Sequence, residues 1–117
     1  MGYRSKVIIG VKDGELSNEF DDILKKHDVK GYWEYVERIG DGMKFYTFEH
    51  IKWYETEDWC KEIMDWIKKQ DDYTTDIQDG LQNVFCIGIG YDDGTTHSEI
   101  GDYWEYVERI SEINLID

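Results

Sequence analysis

The chain has no proline, two cysteines and no long apolar run. Because proline is absent, no predicted strand is interrupted by a residue that cannot donate to a sheet ladder. Cys60 and Cys86 lie in apolar surroundings, and their spacing differs from that of cysteines in metal-binding or redox motifs. We therefore expect two buried free thiols in a reducing cytosol. The apolar stretch VIIGV near the start is too short for a secretory leader or a membrane span, so we expect a soluble, cytoplasmic protein.

Basic residues are scarce in the last two-fifths of the chain. Residues 1–70 hold 15 acidic and 12 basic side chains, whereas residues 71–117 hold 12 acidic side chains and a single basic one, Arg109. The second segment therefore carries −11 of the total net charge of −14. Such a field repels nucleic acid and attracts basic protein surfaces, so we expect a basic partner and no direct nucleic-acid or membrane binding. Solubility alone is the alternative explanation, since many acidic domains have no basic partner.

The length and apolar content of the chain fit one domain, residues 1–117, and hydrophobic periodicity predicts strands and two helices. Strands are expected in SKVIIGVK, on both sides of the Gly-Asp-Gly turn in GYWEYVERIGDGMKFYTFEHIKWYE, in NVFCIGIGYDDG, in TTHSEIG and in the last YWEYVERI. Helices are expected in ELSNEFDDILKKHD, capped by Asp13 or Ser17, and in TEDWCKEIMDWIKKQ. This order predicts an α+β fold, a two-layer sandwich of the ferredoxin-like βαββαβ type with an added C-terminal hairpin or strand. The second helix is expected to bury a stripe of Cys60, Ile63, Met64 and Ile67.

The string YWEYVERI occurs twice, at residues 32–39 and 103–110. Its aromatic and β-branched residues favour a strand, although Tyr32, Val36 and Ile39 would also share one face of a helix. One explanation is local duplication of a sheet segment that has no function of its own. The other is a pair of similar strands at equivalent sheet edges or on one binding surface. Pairing through these strands would give a homodimer, and a homo-oligomeric structural protein is a further alternative for the function.

No motif of a known reaction or cofactor stands out. GIGYDDG has closely spaced glycines, but no helix follows them as a dinucleotide fingerprint requires. We expect instead that Gly88 and Gly90 let a neighbouring group crowd the strand. Phosphate-loop and calcium-loop patterns are absent, and the sequence indicates no Ser-His-Asp or Cys-His group. We therefore expect no cofactor and no catalytic residue.

The hairpin after the GIGY strand is rich in carboxylates. A solvated acidic hairpin is the interpretation we favour, and we expect no metal there. The alternative is a hard-cation site formed by Asp92, Asp93, His97 and Glu99.

Aromatic residues are more numerous than one small core requires, with five Trp, nine Tyr and four Phe. Exposed Tyr and Trp in a lysine-poor surrounding are typical of interface hot spots. A different class of function is a small-ligand site, for a nucleotide or a metal, or an enzyme active site. Its cleft would be lined by Trp33, His50, Trp53 and Tyr54.

Three segments resemble a group of small proteins encoded by phages, prophages and related mobile elements. The matching residues are MGYRSKVIIGV, FEHIKWYETEDW and FCIGIGYDDGTTHSEIG, with YVERISEI in place of a similar closing strand. The chain differs from the group by its duplicated octapeptide and by a shorter first helix region. The resemblance implies no enzymatic activity. It implies a setting in the host cytoplasm, where such elements keep accessory proteins that bind host machinery, including inhibitors of defence systems.

Together these features predict a non-catalytic binding protein that inhibits a basic, nucleic-acid-handling host or defence protein. At the extreme, rows of carboxylates would imitate the phosphates of DNA. Charge would come from Asp92, Asp93, Glu99, Asp102, Glu105 and Glu108, and the aromatic anchors would be Tyr103, Trp104 and Tyr106.

Overall fold

A computed structural model describes residues 4–27, 35–40, 42–54, 56–72, 83–90, 96–101, 107–109 and 113–115. The helices are α1 (Glu15–Lys26) and α2 (Asp58–Asp72). The strands are β1 (Ser5–Lys12), β2 (Tyr35–Gly40), β3 (Met43–Ile51), β4 (Val84–Gly90), β5 (Thr96–Ile100), β6 (Val107–Arg109) and β7 (Ile113–Leu115).

The main sheet has five strands in the order β2-β3-β1-β4-β5, and every neighbouring pair is antiparallel. Strands β6 and β7 form a separate antiparallel pair. The predicted α+β class is confirmed, with both helices and the strands of the sheet close to their expected positions. Neither helix within the described residues is long and apolar enough to cross a membrane.

Helix α1 starts directly after Gly14, whose φ of 128° lies in the region that glycine tolerates. The hydroxyl oxygen of Ser17 accepts a hydrogen bond from the Gly14 N–H at 3.0 Å, which satisfies one of the donors left unpaired at a helix start. Glu15 opens the helix and Lys25 and Lys26 close it, as the helix dipole favours. Asp13 and Ser17 are the two predicted caps. Gly14 is the N-cap, and Ser17 lies in the first turn of the helix, from which its side chain contacts the Gly14 N–H.

Two apolar clusters lie on the two faces of the sheet. The cluster on the helix side includes Phe20 of α1 and the predicted α2 stripe, whose four members are all buried. The cluster on the other face includes Val107 of β6, so part of the C-terminal segment covers the sheet there. This second cluster consists of Ile8, Met43, Phe45, Phe85, Ile87, Ile89 and Val107.

The two copies of YWEYVERI occupy different environments. The first copy contributes to β2 at one end of the main sheet, and the second contributes β6 of the separate pair. Val36 in the first copy is 69% exposed, whereas the matching Val107 in the second copy is 5% exposed. The copies therefore do not lie at equivalent sheet edges, because one faces solvent and the other fills the second apolar cluster.

Candidate functional site

The predicted acidic and aromatic surface is only partly within the described residues. Glu99 lies in β5 with its side chain exposed. Glu108 lies in β6, and of this residue the backbone alone is described. The other predicted members lie outside the described residues, namely Asp92, Asp93, Asp102, Tyr103, Trp104, Glu105 and Tyr106.

Strand β5, which carries Glu99, is irregular. Its pairing with β4 shifts register between Cys86 and Gly88. Ser98 has a φ of 55°, in the left-handed region that non-glycine residues rarely adopt. Bulges and left-handed residues twist an edge strand and make it a poorer template for pairing with another strand.

His97 on β5 reaches across β4 to the start of β1. Its Nε2 lies 3.0 Å from the hydroxyl oxygen of Ser5, and its Nδ1 lies 3.1 Å from that of Ser98. Ser5 is 5% exposed, so the contact between His97 and Ser5 ties the edge strand to the centre of the sheet.

Gly88 makes this reach possible. His97 is paired with Gly88 in the ladder, and its ring occupies the space where a side chain at residue 88 would stand. A Cβ at this position would lie 2.8 Å from Nδ1 and would collide with the Cε1 atom. The prediction that Gly88 lets a neighbour crowd the strand is confirmed.

The distance from Ser5 to His97 resembles that between a nucleophile and a general base. A catalytic serine must also be reached by a substrate carbonyl, and Ser5 is almost completely buried in this conformation. The pair is therefore best explained as a satisfied buried polar contact. Sequence reasoning missed it because the two residues are 92 positions apart, and the only local signal was the glycine between them.

A second polar cluster joins α1 to the sheet around Asp21. One carboxylate oxygen accepts a hydrogen bond from the fully buried Tyr46 hydroxyl at 2.7 Å, and the other accepts one from Lys44 Nζ at 2.9 Å. The carboxylate of Glu37 on β2 lies 3.7 Å from the same ammonium group.

Burial, followed by the hydrogen bond and the negative charge of Asp21, raises the pKa of Tyr46 far above its ordinary value. Burial acts to lower the pKa of Lys44, but its contacts with Asp21 and Glu37 outweigh that effect, so this pKa is raised. Tyr46 thus stays neutral and Lys44 stays charged around neutral pH, which suits a structural network.

The end of α1 is joined to α2 by charge. Lys26 Nζ lies 2.8 Å from one carboxylate oxygen of Glu62, and His27 Nε2 lies 3.2 Å from the other. The hydrogen bond from Lys26 lowers the pKa of Glu62 and, with further contributions from His27, outweighs the opposing effect of burial.

The described residues of the alternative aromatic cleft do not share one accessible surface. Trp53 is buried in the helix-side core against Phe48 and Trp59. His50 is exposed with a φ of 55°, and its carbonyl oxygen accepts a hydrogen bond from Arg4 at 3.0 Å. Tyr54 is partly exposed and Trp33 lies outside the described residues. The Trp53 indole N–H has no hydrogen-bond partner within the described part of the chain.

No group of three His, Cys, Asp or Glu residues in the described ranges is placed to hold a metal ion. Of the four residues of the alternative cation site, Asp92 and Asp93 lie outside those ranges, and both ring nitrogens of His97 contact serine hydroxyls. Comparison with family models, with curated proteins and with solved structures found no match to this chain.

Proposed function

We propose that this chain is a non-catalytic, phage-type accessory protein that binds and inhibits a basic, nucleic-acid-handling host or defence protein. Its acidic surface occupies a basic groove of the partner and excludes the ligand that normally binds there. At the extreme, the carboxylates of this surface imitate the phosphates of DNA. No cofactor takes part in this role.

The observation that carries the proposal is the segregation of charge between parts of the fold. Residues 71–117, with a net charge of −11, supply β4, β5, β6 and β7 together with Asp71 and Asp72 at the end of α2. The exposed lysines of the described chain, by contrast, lie on the helices, at Lys25, Lys26, Lys61, Lys68 and Lys69.

This distribution supports an acidic region that includes the β5 edge and the face of the sheet on which β6 packs. The helices, which carry residues of both charges, lie on the opposite face. The exposed Glu99 on β5 agrees with it. A field of one sign on one side of a molecule steers a basic partner to that side.

The finer fold assignment belongs to the proposal as well. We assign the chain to the ferredoxin-like βαββαβ class, with β5 and the β6–β7 pair added. The strand order β2-β3-β1-β4, with one helix after β1 and the other after β3, supports this assignment.

The phage-type setting and the host cytoplasm are supported by two observations of different kinds. One is the resemblance of the MGYRS opening, the IKWYE segment and the IGYDD strand end to proteins of mobile elements. The other is that Cys60 and Cys86 are both buried and unbridged, as expected in a reducing compartment.

The test is affinity capture from a bacterial lysate, followed by mass spectrometric identification of the partner and direct titration of the purified pair. Raising the ionic strength from about 50 mM to about 500 mM should weaken the complex steeply, because exposed charges are screened. Affinity that hardly changes over this range would contradict the proposal.

Two matched triple variants locate the surface. Asp92→Asn/Asp93→Asn/Glu99→Gln removes three carboxylates from the proposed acidic region and should weaken binding by about tenfold or more. Glu15→Gln/Glu19→Gln/Asp22→Asn removes three exposed carboxylates from α1 and should leave binding almost unchanged. Equal loss in both variants would show that net charge, rather than this surface, drives the interaction.

A small-ligand site near Trp53 is the second candidate. It is favoured by the buried Trp53 indole N–H, which lacks a hydrogen-bond partner within the described residues. A thermal-shift series with nucleotides and divalent cations tests it, because a ligand that binds only the folded state raises the melting temperature. A rise of several degrees with one of these compounds would support the site, and a flat series would argue against it.

A further inference from the structure

Strand β2 is the regular edge of the main sheet. It pairs with β3 over all six of its residues without a register shift. Within the described part of the chain, no strand lies on its other side. An edge strand presents backbone donors and acceptors that can pair with another chain.

The exposed large apolar side chains of the described residues are both on this strand. Val36 is 69% exposed and Ile39 is 63% exposed. Val36 lies opposite Thr47 and Ile39 lies opposite Lys44, whose ammonium contacts α1. The two side chains therefore point to opposite faces of the sheet, and one additional strand beside β2 would shield both.

The other end of the sheet is protected against such pairing. Strand β5 has a register shift against β4 and a left-handed residue at Ser98. Strand β2 has neither a bulge nor a left-handed residue. Natural sheets use such irregularities to block edge pairing, so the contrast marks β2 as the edge that is left able to pair.

The charge on β2 indicates which kind of partner fits. Glu37 and Arg38 are its two charged residues, so the strand is locally neutral in a chain of net charge −14. The Arg38 guanidinium lies over the Phe45 ring at 6.0 Å, and Glu37 faces Lys44. A basic partner gains little here, whereas a second copy of this chain meets little repulsion at this strand.

We propose that two copies of this chain associate through β2, with the two β2 strands side by side and antiparallel in one continuous sheet. A two-fold axis uses both β2 edges at once, so the assembly closes as a dimer. The duplicated octapeptide thus serves two purposes, since Val107 of the second copy fills the second apolar cluster and Val36 of the first lies at the interface.

The experiment is sedimentation equilibrium with multi-angle light scattering on the full chain. The mass should rise from the monomer value of 14.0 kDa toward twice that value as concentration increases. Val36→Lys/Ile39→Lys should raise the dimer dissociation constant by about tenfold or more, because two ammonium groups replace the apolar contact. Glu19→Gln/Asp22→Asn makes the same change in net charge at exposed residues of α1, outside β2, and should not weaken the dimer.

Circular dichroism and thermal unfolding of the double variant check that its fold is intact, as expected for exposed positions. A wild-type chain that stays at the monomer mass up to about 1 mM would overturn the proposal. A Val36→Lys/Ile39→Lys variant that remains folded and dimerises as well as the wild type would also overturn it.

The dependence of affinity on salt distinguishes this interface from the complex with the proposed basic partner. Added salt screens the repulsion between two acidic chains, so the dimer should become tighter as ionic strength rises. The complex with a basic protein should become weaker under the same change. A dimer that dissociates on addition of salt would overturn the β2 interface without affecting the binding function.

Discussion

At the scale of single residues, two glycines determine which side chains meet across the sheet. Gly88 leaves room for the His97 ring on the helix side, and Gly10 leaves room for the Phe85 ring, which lies over it. Both positions are in strands, where glycine is otherwise unfavourable, so close packing explains its presence. The sequence indicated that Gly88 would be crowded. It could not indicate by which group, because His97 approaches only once β5 pairs with β4.

Replacing Gly88 with Ala should destabilise the fold by about 1–3 kcal/mol, since the new Cβ must displace the His97 ring and break its contact with Ser5. The measurement is urea denaturation followed by tryptophan fluorescence. Gly40→Ala is the matched control, because nothing lies within 4 Å of a Cβ at residue 40. Similar losses in both variants would show that strand glycines matter here for backbone reasons alone.

At the scale of elements, the repeated octapeptide shows how context decides the role of a sequence. The strand interpretation holds for the described parts of both copies, residues 35–39 within β2 and Val107–Arg109. One copy pairs with β3 and the other with β7, which gives identical residues different neighbours and different burial. No property of the eight letters distinguishes the two copies, so their roles were not predictable.

Val107→Ala should cost about 1–2 kcal/mol of unfolding free energy, because it removes buried methyl groups from the second apolar cluster. Val36→Ala makes the same chemical change in the same octapeptide at an exposed position, and should stay within about 0.5 kcal/mol of wild type. Chemical denaturation at a protein concentration below any self-association provides the comparison. Equal effects would contradict the difference in burial.

The contact between the helices predicts a dependence on pH. Because Lys26 lowers the folded-state pKa of Glu62 below its ordinary 4.5, the contact stabilises the fold above the unfolded-state pKa. That contribution is lost as the pH falls through the lower folded-state pKa. Between about pH 6 and pH 3, Glu62→Gln should therefore lose less stability than the wild type.

Glu19→Gln, an exposed substitution on α1, is the control for that experiment and should follow the wild-type profile. The effect at Glu62 is small, since an ion pair near the surface is weakened by solvent. Parallel profiles for the wild type and Glu62→Gln would contradict the link between α1 and α2.

At the scale of the whole molecule, excess negative charge opposes compaction. Of the net charge of −14, the C-terminal two-fifths carries −11, and its described strands lie in the main sheet (β4 and β5) and in the β6–β7 pair. Bringing like charges together costs free energy that dissolved salt reduces.

Raising sodium chloride from about 20 mM to about 300 mM should therefore increase the melting temperature by roughly 2–5 °C, which corresponds to a gain of under about 1 kcal/mol for a domain near this size. Differential scanning calorimetry measures it. A variant with Asp92, Asp93 and Glu99 neutralised should respond less to salt than the wild type. A melting temperature that is flat or falls with salt would show that the carboxylates are too far apart to repel.

The sequence by itself determined the α+β class, the two helices with their buried stripes, the free cysteines and the concentration of negative charge in residues 71–117. These follow from local periodicity, capping and composition, which act over a few residues. Only the tertiary structure decided the contact of His97 with Ser5, the network of Asp21 with Tyr46 and Lys44, and the burial of Val107 against the exposure of Val36. Each of these depends on which strands and helices become neighbours, and that is set by packing of the whole fold rather than by any short stretch of the chain.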